Sequence, residues 1–574
     1  MIRLGAKIGG QGAITRFFVA SDTPLDKDAI KQASSGTARW SNRDRAWTIP
    51  PDPTILRRLI VCFPNYTISP ALDGHLAYLM GRQQGIYDAS CVDAPVAPGK
   101  PEQLMPFQSA SVRALEAAGS FILAHQMGLG KTPIVCQALE YLGASRNLIV
   151  CPSAVRWSWV EHLKRWSGMD NIYVVSSTPV KTDNATVIHR NRDKLIEKAL
   201  EEDNTTIVLG YEMLKKHLGN LLRYEYDVIV FDEAHRIKNR KAQVTQAAMQ
   251  MSNVCARRWL LTGTPIRNNY TDLYTLLSIV DPMRFTSYWN FVNLYLETTP
   301  NIFGGVDVVG LKNEEEFNSM LSVYMYKLTK EEVMPELPPI IYETSKLPMN
   351  TEQARAYKQM EEEFMLYIED EMKETGYADP IITAPNTVAK IIRLRQICLM
   401  PEMIGGPADS AKLDWLEDRV EEYLEQGERL LIFSFFRQFI DYVENMLEHK
   451  GMYFGRITGD VSSEDRYRVQ QQLTGGDIDI VIGTGQTMGE GMNLQAATTA
   501  IFCDLDWVPA VNQQAEERIQ RGDIKKSPNV VRLYHPDTIE QDIMAVLHRK
   551  ERITSKATGQ VEAIRNLLSR KGRM

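Results

Sequence analysis

The sequence predicts an α/β protein with two parallel-sheet cores, a helical insertion between them and a small α+β domain at the amino terminus. Short apolar runs alternate with helical patterns twice along the 574 residues, as strands and helices do in parallel sheets. The 44% hydrophobic and 24% charged content is typical of a globular protein. This length allows more than one hydrophobic core.

Shifts in composition divide the chain into four predicted segments. Residues 1–100 contain 12 Lys and Arg against 8 Asp and no Glu, so this accessory segment is compositionally distinct. A proline-dense stretch at 94–101 disfavours helix and predicts a linker that ends it. The remaining segments are a first core at 101–290, a helical insertion and linker at 291–408, and a second core at 409–574.

Charge and cysteine content narrow the class of protein. The formal net charge of −7 argues against a generally basic nucleic-acid coat, so any DNA contact has to come from local patches. Seven cysteines lack zinc or disulfide spacing, which favours a reducing environment. Neither a membrane span nor a signal peptide is visible. We therefore expect an intracellular protein of the cytoplasm or nucleoid, without a membrane partner; a virus-infected bacterial cell is one such setting.

Two tryptophans and three arginines are interleaved in residues 39–47. Aromatic faces stack on bases and guanidinium groups neutralise phosphates, so Arg39, Trp40, Arg43 and Trp47 are candidate DNA-binding residues. The alternative is a small β-domain whose tryptophans are core residues and whose arginines are merely solvated. The sequence leaves both interpretations open.

The central motif is an apolar run, Phe-Ile-Leu-Ala, that continues into His-Gln-Met-Gly-Leu-Gly-Lys-Thr at 125–132. It predicts a strand, a phosphate-cradling loop and the first turn of a helix, whose N–H groups attract anions. Lys131 would reach the outer phosphates and Thr132 would ligate the Mg²⁺ that bridges them. The alternative is a chance loop before a helix, and His125 stands where the general phosphate-loop pattern has glycine. The candidate nucleotide-binding residues here are Met127, Gly128, Leu129, Gly130, Lys131 and Thr132.

A helix predicted to open near residue 106, about twenty residues before this loop, carries Gln108, whose amide can read adenine. A later apolar run ends in Asp232 and Glu233. Two carboxylates at a strand's carboxyl end have separate uses: Asp232 holds Mg²⁺ and Glu233 polarises the attacking water. A solvated turn is the alternative. A third run leads into a polar loop that contains Thr264, suited to sensing the γ-phosphate or contacting phosphodiester oxygens.

The motifs GLGKT, DEAHRIKN and LTGTPIRNN together resemble those of the SNF2 family of superfamily 2, the DNA-dependent ATPases that act as double-stranded-DNA translocases. Segments at 327–339, 394–401, 489–495 and 506–523 are similar to further motifs of that family, so the resemblance covers about 104–550. The chain departs from it at His125-Gln126, where the family often has Asp-Glu, and at Lys327-Leu328, where two arginines are usual. Within the family, the compact layout and the amino-terminal segment look most like the annealing-helicase branch with its HARP-type module.

The resemblance implies two RecA-like cores that bind Mg-ATP in their cleft, with Lys131, Asp232 and Glu233 as catalytic residues. Arg518 and Arg521 lie three positions apart, which would place both on one helical face as arginine fingers; a surface helix with Glu–Arg pairs is the alternative. The family's pattern adds Gly491 to the nucleotide-binding residues. It assigns sequence-independent backbone contacts with DNA to Pro152, Thr264, Ser434 and Thr484.

We therefore predict a monomeric ATP-dependent double-stranded-DNA translocase that uses ATP and Mg²⁺ to move along or remodel DNA or protein–DNA complexes. Two alternatives stay open. One is a strand-separating or annealing helicase that acts at forks. The other is an ATP-gated DNA-binding subunit of a larger assembly.

Overall fold

A computed structural model describes most of the chain in two compact units. One unit comprises residues 1–126 and 130–333, and the other comprises 127–129 and 334–574. The described residues are 2–8, 14–22, 24–34, 37–49, 53–63, 65–73, 85–86, 88, 104–175, 192–263, 270–300, 306–375, 385–488, 494–507, 509–520 and 526–548.

The amino-terminal part of the first unit forms a small mixed sheet with two helices. Its strands are β1 Ile2–Ile8, β2 Ile14–Ser21, β3 Arg39–Ser41, β4 Ala46–Ile49 and β5 Tyr66–Ile68, in the order β3-β4-β2-β1-β5. The helices are Lys27–Ala33 and Pro53–Cys62. Side chains such as Phe17 and Leu59 belong to one hydrophobic core that continues into the following domain. An ion pair between Arg58 and Glu316 also joins the two. The predicted α+β domain is present and packs on the first core.

The first core is a seven-stranded sheet covered by helices. Its strands are β6 Phe121–Leu123, β7 Arg146–Cys151, β8 Ile172–Val175, β9 Thr205–Gly210, β10 Tyr226–Phe231, β11 Cys255–Leu261 and β14 Met325–Tyr326. The order is β14-β6-β11-β10-β7-β9-β8 and each pair is parallel. Its helices are Pro106–Ala118, Lys131–Tyr141, Arg156–Trp166, Arg192–Glu201, Tyr211–Leu221, Gln243–Ser252 and Thr271–Val280.

The parallel pairing explains the apolar runs of the sequence. Helices cover both faces of such a sheet, so a strand such as β9 is buried at all six residues. Because all strands run the same way, the loops after β6, β7, β9, β10 and β11 meet at one edge. Ligands bind at this carboxyl edge in open parallel sheets.

The segment between the cores is helical for the most part but also supplies strands. Its helices are Tyr288–Tyr295, Glu314–Leu321, Lys330–Val333, Thr351–Thr375 and Pro385–Leu399. An antiparallel hairpin, β12 Leu296–Pro300 with β13 Val306–Leu311, follows the first of these helices in the chain. β14 from this segment extends the first sheet, and β15 Ile341–Lys346 extends the second. The domain boundaries at residues 100, 290 and 408 stay predictions.

The second unit repeats the design with six parallel strands. They are β15, β16 Leu430–Ser434, β17 Phe454–Ile457, β18 Ile480–Thr484, β19 Thr499–Phe502 and β20 Asn529–Tyr534, in the order β15-β20-β19-β16-β18-β17. Its other helices are Ala411–Glu425, Arg437–His449, Ser463–Gly475, Gly485–Met488, Pro509–Glu516 and Ile539–His548. The fold class predicted from sequence is confirmed. Within the described part of the chain, no helix is both long and apolar enough to cross a membrane.

A buried ion pair fixes the helix Ile539–His548 to the core of the second unit. The fully buried Nζ of Lys412 donates to Oε1 of Glu540 at 2.5 Å and to the carbonyl oxygen of Cys503 at 2.6 Å. Oε2 of Glu540 accepts the N–H of His535 at 3.0 Å. Both charges are therefore satisfied, as buried charges have to be.

Removing the cation should destabilise the second unit strongly. Lys412→Met leaves Glu540 buried without its partner, at an expected cost of about 3–5 kcal/mol, or roughly ten degrees of melting temperature. Differential scanning calorimetry measures this. Lys450→Met is the matched control, because Lys450 pairs with the exposed Glu421 and such pairs contribute about 0–1 kcal/mol. Equal small effects of both substitutions would contradict the structural role of the buried pair.

Candidate active site

A glycine loop joins β6 to the helix that begins at Lys131. Gly128 and Gly130 have φ angles of 87° and 73°, in the left-handed region that glycine enters without steric cost. A Cβ added to Gly130 would lie 2.4 Å from Nε2 of Gln108, so this position has no room for a side chain. Gly130 caps the helix, and the unpaired N–H groups of the first turn favour an anion at the loop.

Lys131 and Thr132 are the first two residues of this helix. The Nζ atom of Lys131 donates to the carbonyl oxygen of His125 at 2.8 Å and to that of Gln126 at 3.4 Å. The ammonium group is therefore held by the loop's own carbonyls. Phosphate oxygens can replace these acceptors with stronger hydrogen bonds, because they place a negative charge opposite the ammonium group.

His125 packs beside the loop as a neutral residue. Its Nε2 lies 2.7 Å from Oγ of Ser111, and its ring meets the edge of Tyr326 at 5.0 Å. The Ser111 hydroxyl donates to the carbonyl of Phe107 at 2.7 Å, so Nε2 carries the proton and donates. Burial, and then the charge of Lys131, lower the pKa of His125 to about 3. The loop thus rests on an uncharged side chain.

Gln108 braces the phosphate loop in this structure. Its Oε1 accepts the N–H of Met105 at 2.9 Å, which caps the helix that carries it, while its Nε2 faces Gly130. The structure brings Gln108 to the loop, and its reading of adenine stays a prediction.

Asp232 follows β10 and is held from several sides. Its Oδ2 accepts the indole N–H of Trp159 at 2.9 Å, and its Oδ1 accepts the N–H of Glu233 at 2.9 Å. The hydroxyl of Tyr211 donates to its carbonyl oxygen at 2.6 Å. Burial and the charge of Glu233 raise the pKa of Asp232 to about 6, against the opposing effects of Trp159 and Lys131. Lys131 is therefore near enough to act on this carboxylate.

Glu233 has an unusual backbone conformation for a residue with a side chain. Its φ and ψ angles are 51° and 52°, in the left-handed region that costs a non-glycine residue about 1–3 kcal/mol. Its Oε2 lies 3.2 Å from Nδ1 of His235. Backbone strain of this kind persists where the neighbouring structure enforces it. The enforced conformation of Glu233 sets the direction in which its side chain leaves the main chain.

The acidic pair fits a magnesium ion that arrives with a nucleotide. Each oxygen of Asp232 accepts one described N–H donor, which leaves lone pairs for a cation. Mg²⁺ is usually held by one or two carboxylates together with substrate phosphates. It does not need a larger cage, and the described residues contain no group of three His, Cys, Asp or Glu that could hold a metal.

The neighbouring loop after β11 begins at the same edge. The N–H of Thr262 donates to the carbonyl of Leu123 at 3.2 Å, which ties this loop to the strand that precedes the glycine loop. Thr264, the predicted phosphate sensor, lies outside the described residues, as does Gly491.

The candidate DNA contacts of the two cores differ in exposure. Pro152 is buried at the end of β7, and the exposed side chain there is Ser153. Ser434 is also buried and donates to Oδ1 of Asp504 at 2.7 Å, so its hydroxyl shapes its loop from within. Thr484 is half-buried and donates to Thr487 at 2.8 Å. The side chains of Pro152 and Ser434 are therefore not presented to a ligand.

The two amino-terminal tryptophans have different environments. Trp40 is 51% exposed on β3, beside the exposed Arg39 and Arg43. Trp47 is only 8% exposed and meets the Trp40 ring edge-on at 5.8 Å. Trp47 is a core residue and is not placed to stack on a base, whereas the Trp40 ring is accessible from solvent.

The arginine pair is only partly described. The helix that begins at Pro509 ends at Glu516, and Arg518 lies in the turn that follows. Hydrogen bonds three residues back, from Arg518 to Ala515 and from Ile519 to Glu516, tighten the chain here. The regular helical face expected from the spacing is therefore absent at Arg518, and Arg521 lies outside the described residues.

Sequence reasoning does not select Trp159 or Tyr211, although both bond Asp232. Three tryptophans, Trp157, Trp159 and Trp166, share one helix, and nothing in their spacing shows which one meets the acidic pair. Tyr211 follows β9 directly. An aromatic residue immediately after a buried strand is the one sequence signal that could have marked it as a residue of the site.

Two known protein families match consecutive parts of this chain. The SNF2-related domain family matches residues 74–403, and the helicase conserved C-terminal domain matches 411–523. The chain is 27% identical over 453 residues to the SWI/SNF chromatin-remodeling complex subunit snf22 of Schizosaccharomyces pombe. The aligned region covers 74% of this chain and 26% of snf22. It is 27% identical over 471 residues to the Drosophila melanogaster SWI/SNF-related matrix-associated actin-dependent regulator of chromatin subfamily A-like protein 1. Here the aligned region covers 81% of this chain and 57% of the relative.

The chain thus spans from about a quarter to somewhat over half of the length of these relatives. Among solved structures, the Sulfolobus solfataricus SWI2/SNF2 ATPase core in complex with dsDNA aligns with 84% of this chain and 98% of its own, at 22% identity and a TM-score of 0.37. The SNF2-related match covers more than half of the 574 residues. The chain belongs to the SNF2-related family, and its phosphate loop and acidic pair lie within the matched region.

Proposed function

We propose that this chain is a DNA-dependent ATPase that moves along double-stranded DNA. The observation that carries the proposal is the convergence of Lys131 and the Asp232–Glu233 pair at the carboxyl edge of one sheet, close enough for Lys131 to lower the pKa of Asp232. Membership of the SNF2-related family implies the use of ATP. Phosphates and a divalent cation are the ligands that these charges suit.

Lys131 and the glycine loop bind the triphosphate. The first-turn N–H groups and Thr132 surround the phosphates, and the ammonium of Lys131 leaves the carbonyls of His125 and Gln126 for phosphate oxygens. Asp232 and Thr132 would hold the magnesium ion. When bound, Mg²⁺ neutralises charge on the phosphoryl oxygens as a Lewis acid. Glu233, whose backbone is held in the left-handed region and whose Oε2 lies 3.2 Å from Nδ1 of His235, orients and polarises the attacking water.

DNA binding depends on local surfaces, because the whole chain is acidic. Backbone contacts at the carboxyl edges of the two sheets carry no base information, so binding is sequence-independent. In the first core the exposed Ser153 takes the place that sequence reasoning gives to Pro152. In the second core the half-buried Thr484 is the candidate whose side chain DNA can reach.

The β3–β4 hairpin adds a second DNA surface. Arg39, Trp40 and Arg43 are each exposed, and an exposed ring on a hairpin that also carries guanidinium groups suits an unstacked base beside phosphates. Such bases occur at forks and single-stranded ends. The similarity to the HARP-type branch and the roles of Arg518 and Arg521 stay predictions.

The ATPase role depends on Lys131. Lys131→Ala should lower the ATPase rate at least about a hundredfold, since one preorganised charge is removed from the phosphates. Arg521→Ala should also abolish turnover if it acts as a finger. A coupled ATPase assay with blunt duplex DNA measures both. Lys164→Ala, at an exposed position of the same core, is the control that should retain full activity, and undiminished turnover in Lys131→Ala would overturn the assignment.

Binding to duplex DNA should weaken with salt and ignore sequence. Neutralised phosphates release counterions, so affinity for a blunt duplex should fall at least about tenfold between about 50 and about 200 mM salt. Fluorescence anisotropy with several unrelated duplexes measures the slope. Affinities that differ widely among these duplexes would instead indicate base recognition.

Trp40 should matter for forked DNA more than for blunt duplexes. Trp40→Ala removes a stacking platform worth about 1–3 kcal/mol per base, so affinity for a fork with single-stranded arms should fall about tenfold. Trp289→Ala is the matched control, because Trp289 is exposed to a similar extent, at 54%. Equal fork affinity of the two variants would remove Trp40 from the interface.

A further inference from the structure

Two aromatic side chains from neighbouring strand ends hold Asp232. Trp159 bonds the carboxylate at 2.9 Å and Tyr211 bonds the backbone carbonyl at 2.6 Å. These contacts reach the side chain and the main chain of the same residue. Together with the bond from the Asp232 N–H to the carbonyl of Val150 at 2.8 Å, they fix both the position and the direction of the carboxylate.

Trp159 has one orientation available to it. It is 1% exposed, and its indole N–H is its only polar group and can only donate. A buried donor without an acceptor costs about 1–3 kcal/mol, so packing and hydrogen bonding both keep the ring against Asp232. The helix that carries it, Arg156–Trp166, starts directly after the turn Ser153–Val155 at the end of β7.

Tyr211 is held in a similar way. Burial raises its pKa well above 10, so the hydroxyl stays protonated and donates to the Asp232 carbonyl. It is the first residue of the helix Tyr211–Leu221, and Gly210 at the end of β9 caps that helix. Any displacement of the end of β9 is therefore passed to the acidic loop after β10.

The ends of four adjacent strands are bonded to one another. A Cβ added to Gly210 would lie 3.1 Å from Oγ of Ser153, so the ends of β9 and β7 are in close contact. The guanidinium of Arg156 donates to the carbonyl of Ser153 at 3.2 Å and to that of Val175, at the end of β8, at 3.0 Å. The exposed Ser153 is thus connected through Gly210 and Tyr211, and through the helix of Trp159, to Asp232.

We propose that Trp159 and Tyr211 are positioning residues that hold Asp232 for the nucleotide-bound metal and that couple DNA contact at Ser153 to the acidic pair. This inference rests on the proposed function, because it supplies the route by which DNA stimulates hydrolysis. Neither residue touches the reacting atoms. Because both aromatic side chains are already held rigidly against Asp232, a shift of the backbone at the ends of β7 and β9 carries them with it and so moves the carboxylate.

Conservative substitutions test the coupling in the full chain. Trp159→Phe and Tyr211→Phe remove the donors and keep the rings, and each should reduce DNA-stimulated ATPase about tenfold, as expected for loss of a hydrogen bond at a charged site. Basal ATPase should change less than the stimulated rate. Trp166→Phe and Tyr226→Phe are the controls: Trp166 lies seven residues along the same helix, and the Tyr226 hydroxyl donates to Leu221 at 3.1 Å, away from the site.

Nucleotide binding gives a measurement that does not depend on turnover. A fluorescent ADP analogue is titrated against each variant with Mg²⁺ and again with chelator. The gain in affinity that Mg²⁺ provides should shrink about tenfold in Trp159→Phe, while affinity in chelator stays at the wild-type value. A merely structural defect would weaken binding in both conditions.

The outcomes separate the inference from the proposed function. If blunt duplex DNA fails to stimulate the wild-type ATPase, the proposed function fails, and the Mg²⁺-dependent binding still decides whether the aromatic residues position Asp232. If the wild type is stimulated and both variants match their controls in stimulation and in Mg²⁺-dependent affinity, the inference is overturned. The two variants act on different atoms of Asp232, so a folding defect in one leaves the other decisive.

Discussion

The parallel pairing of the first sheet is the constraint on which the site depends. β11 lies between β6 and β10, so the glycine loop and the acidic pair leave the sheet on either side of one intervening strand. Their separation is set by strand spacing, about 4.8 Å for each pair of neighbours, and not by the loops themselves. Residues about a hundred positions apart in sequence are thereby held at a distance that a triphosphate and its metal can span.

The charges of the site are placed so that a nucleotide with its metal ion would reduce the repulsion between Asp232 and Glu233. Burial, and then the charge of the neighbouring Glu233, raise the free energy of the charged state of Asp232, which its raised pKa records. Lys131 compensates part of this charge, while its own hydrogen bonds go to neutral carbonyls. Under the proposed function, a phosphate would give Lys131 a charged partner and a divalent cation would give one to Asp232. Binding thus replaces repulsion and weak bonds with two attractive interactions.

The sequence predicts the order of the elements and the loops that carry chemistry, since apolar runs and glycines are local signals. It does not predict which side chains those loops turn inward. Trp40 and Trp47 are direct cross-strand partners and so share one face of the sheet, yet only Trp40, on the edge strand, is exposed. Ser434 turns inward because Asp504, seventy residues later, accepts its hydrogen. β14 has two residues, too few for any periodicity.

This chain has His125-Gln126 where the SNF2 family often has Asp-Glu, and the balance of charge around Lys131 explains the difference. Asp-Glu, frequent in the family at this place, would put two carboxylates beside Lys131, whereas His125 is neutral and Gln126 offers an amide oxygen to the N–H of Lys330 at 2.8 Å. That bond, with those from Ala124 and Gln126 to the carbonyls of Tyr326 and Leu328, ties the loop to β14 and to the residues that follow it without adding charge. Lys131 therefore has no carboxylate partner at these two positions of the loop. In the proposed exchange of its carbonyl partners for phosphate, the neutral pair would keep the loop anchored at a lower electrostatic cost.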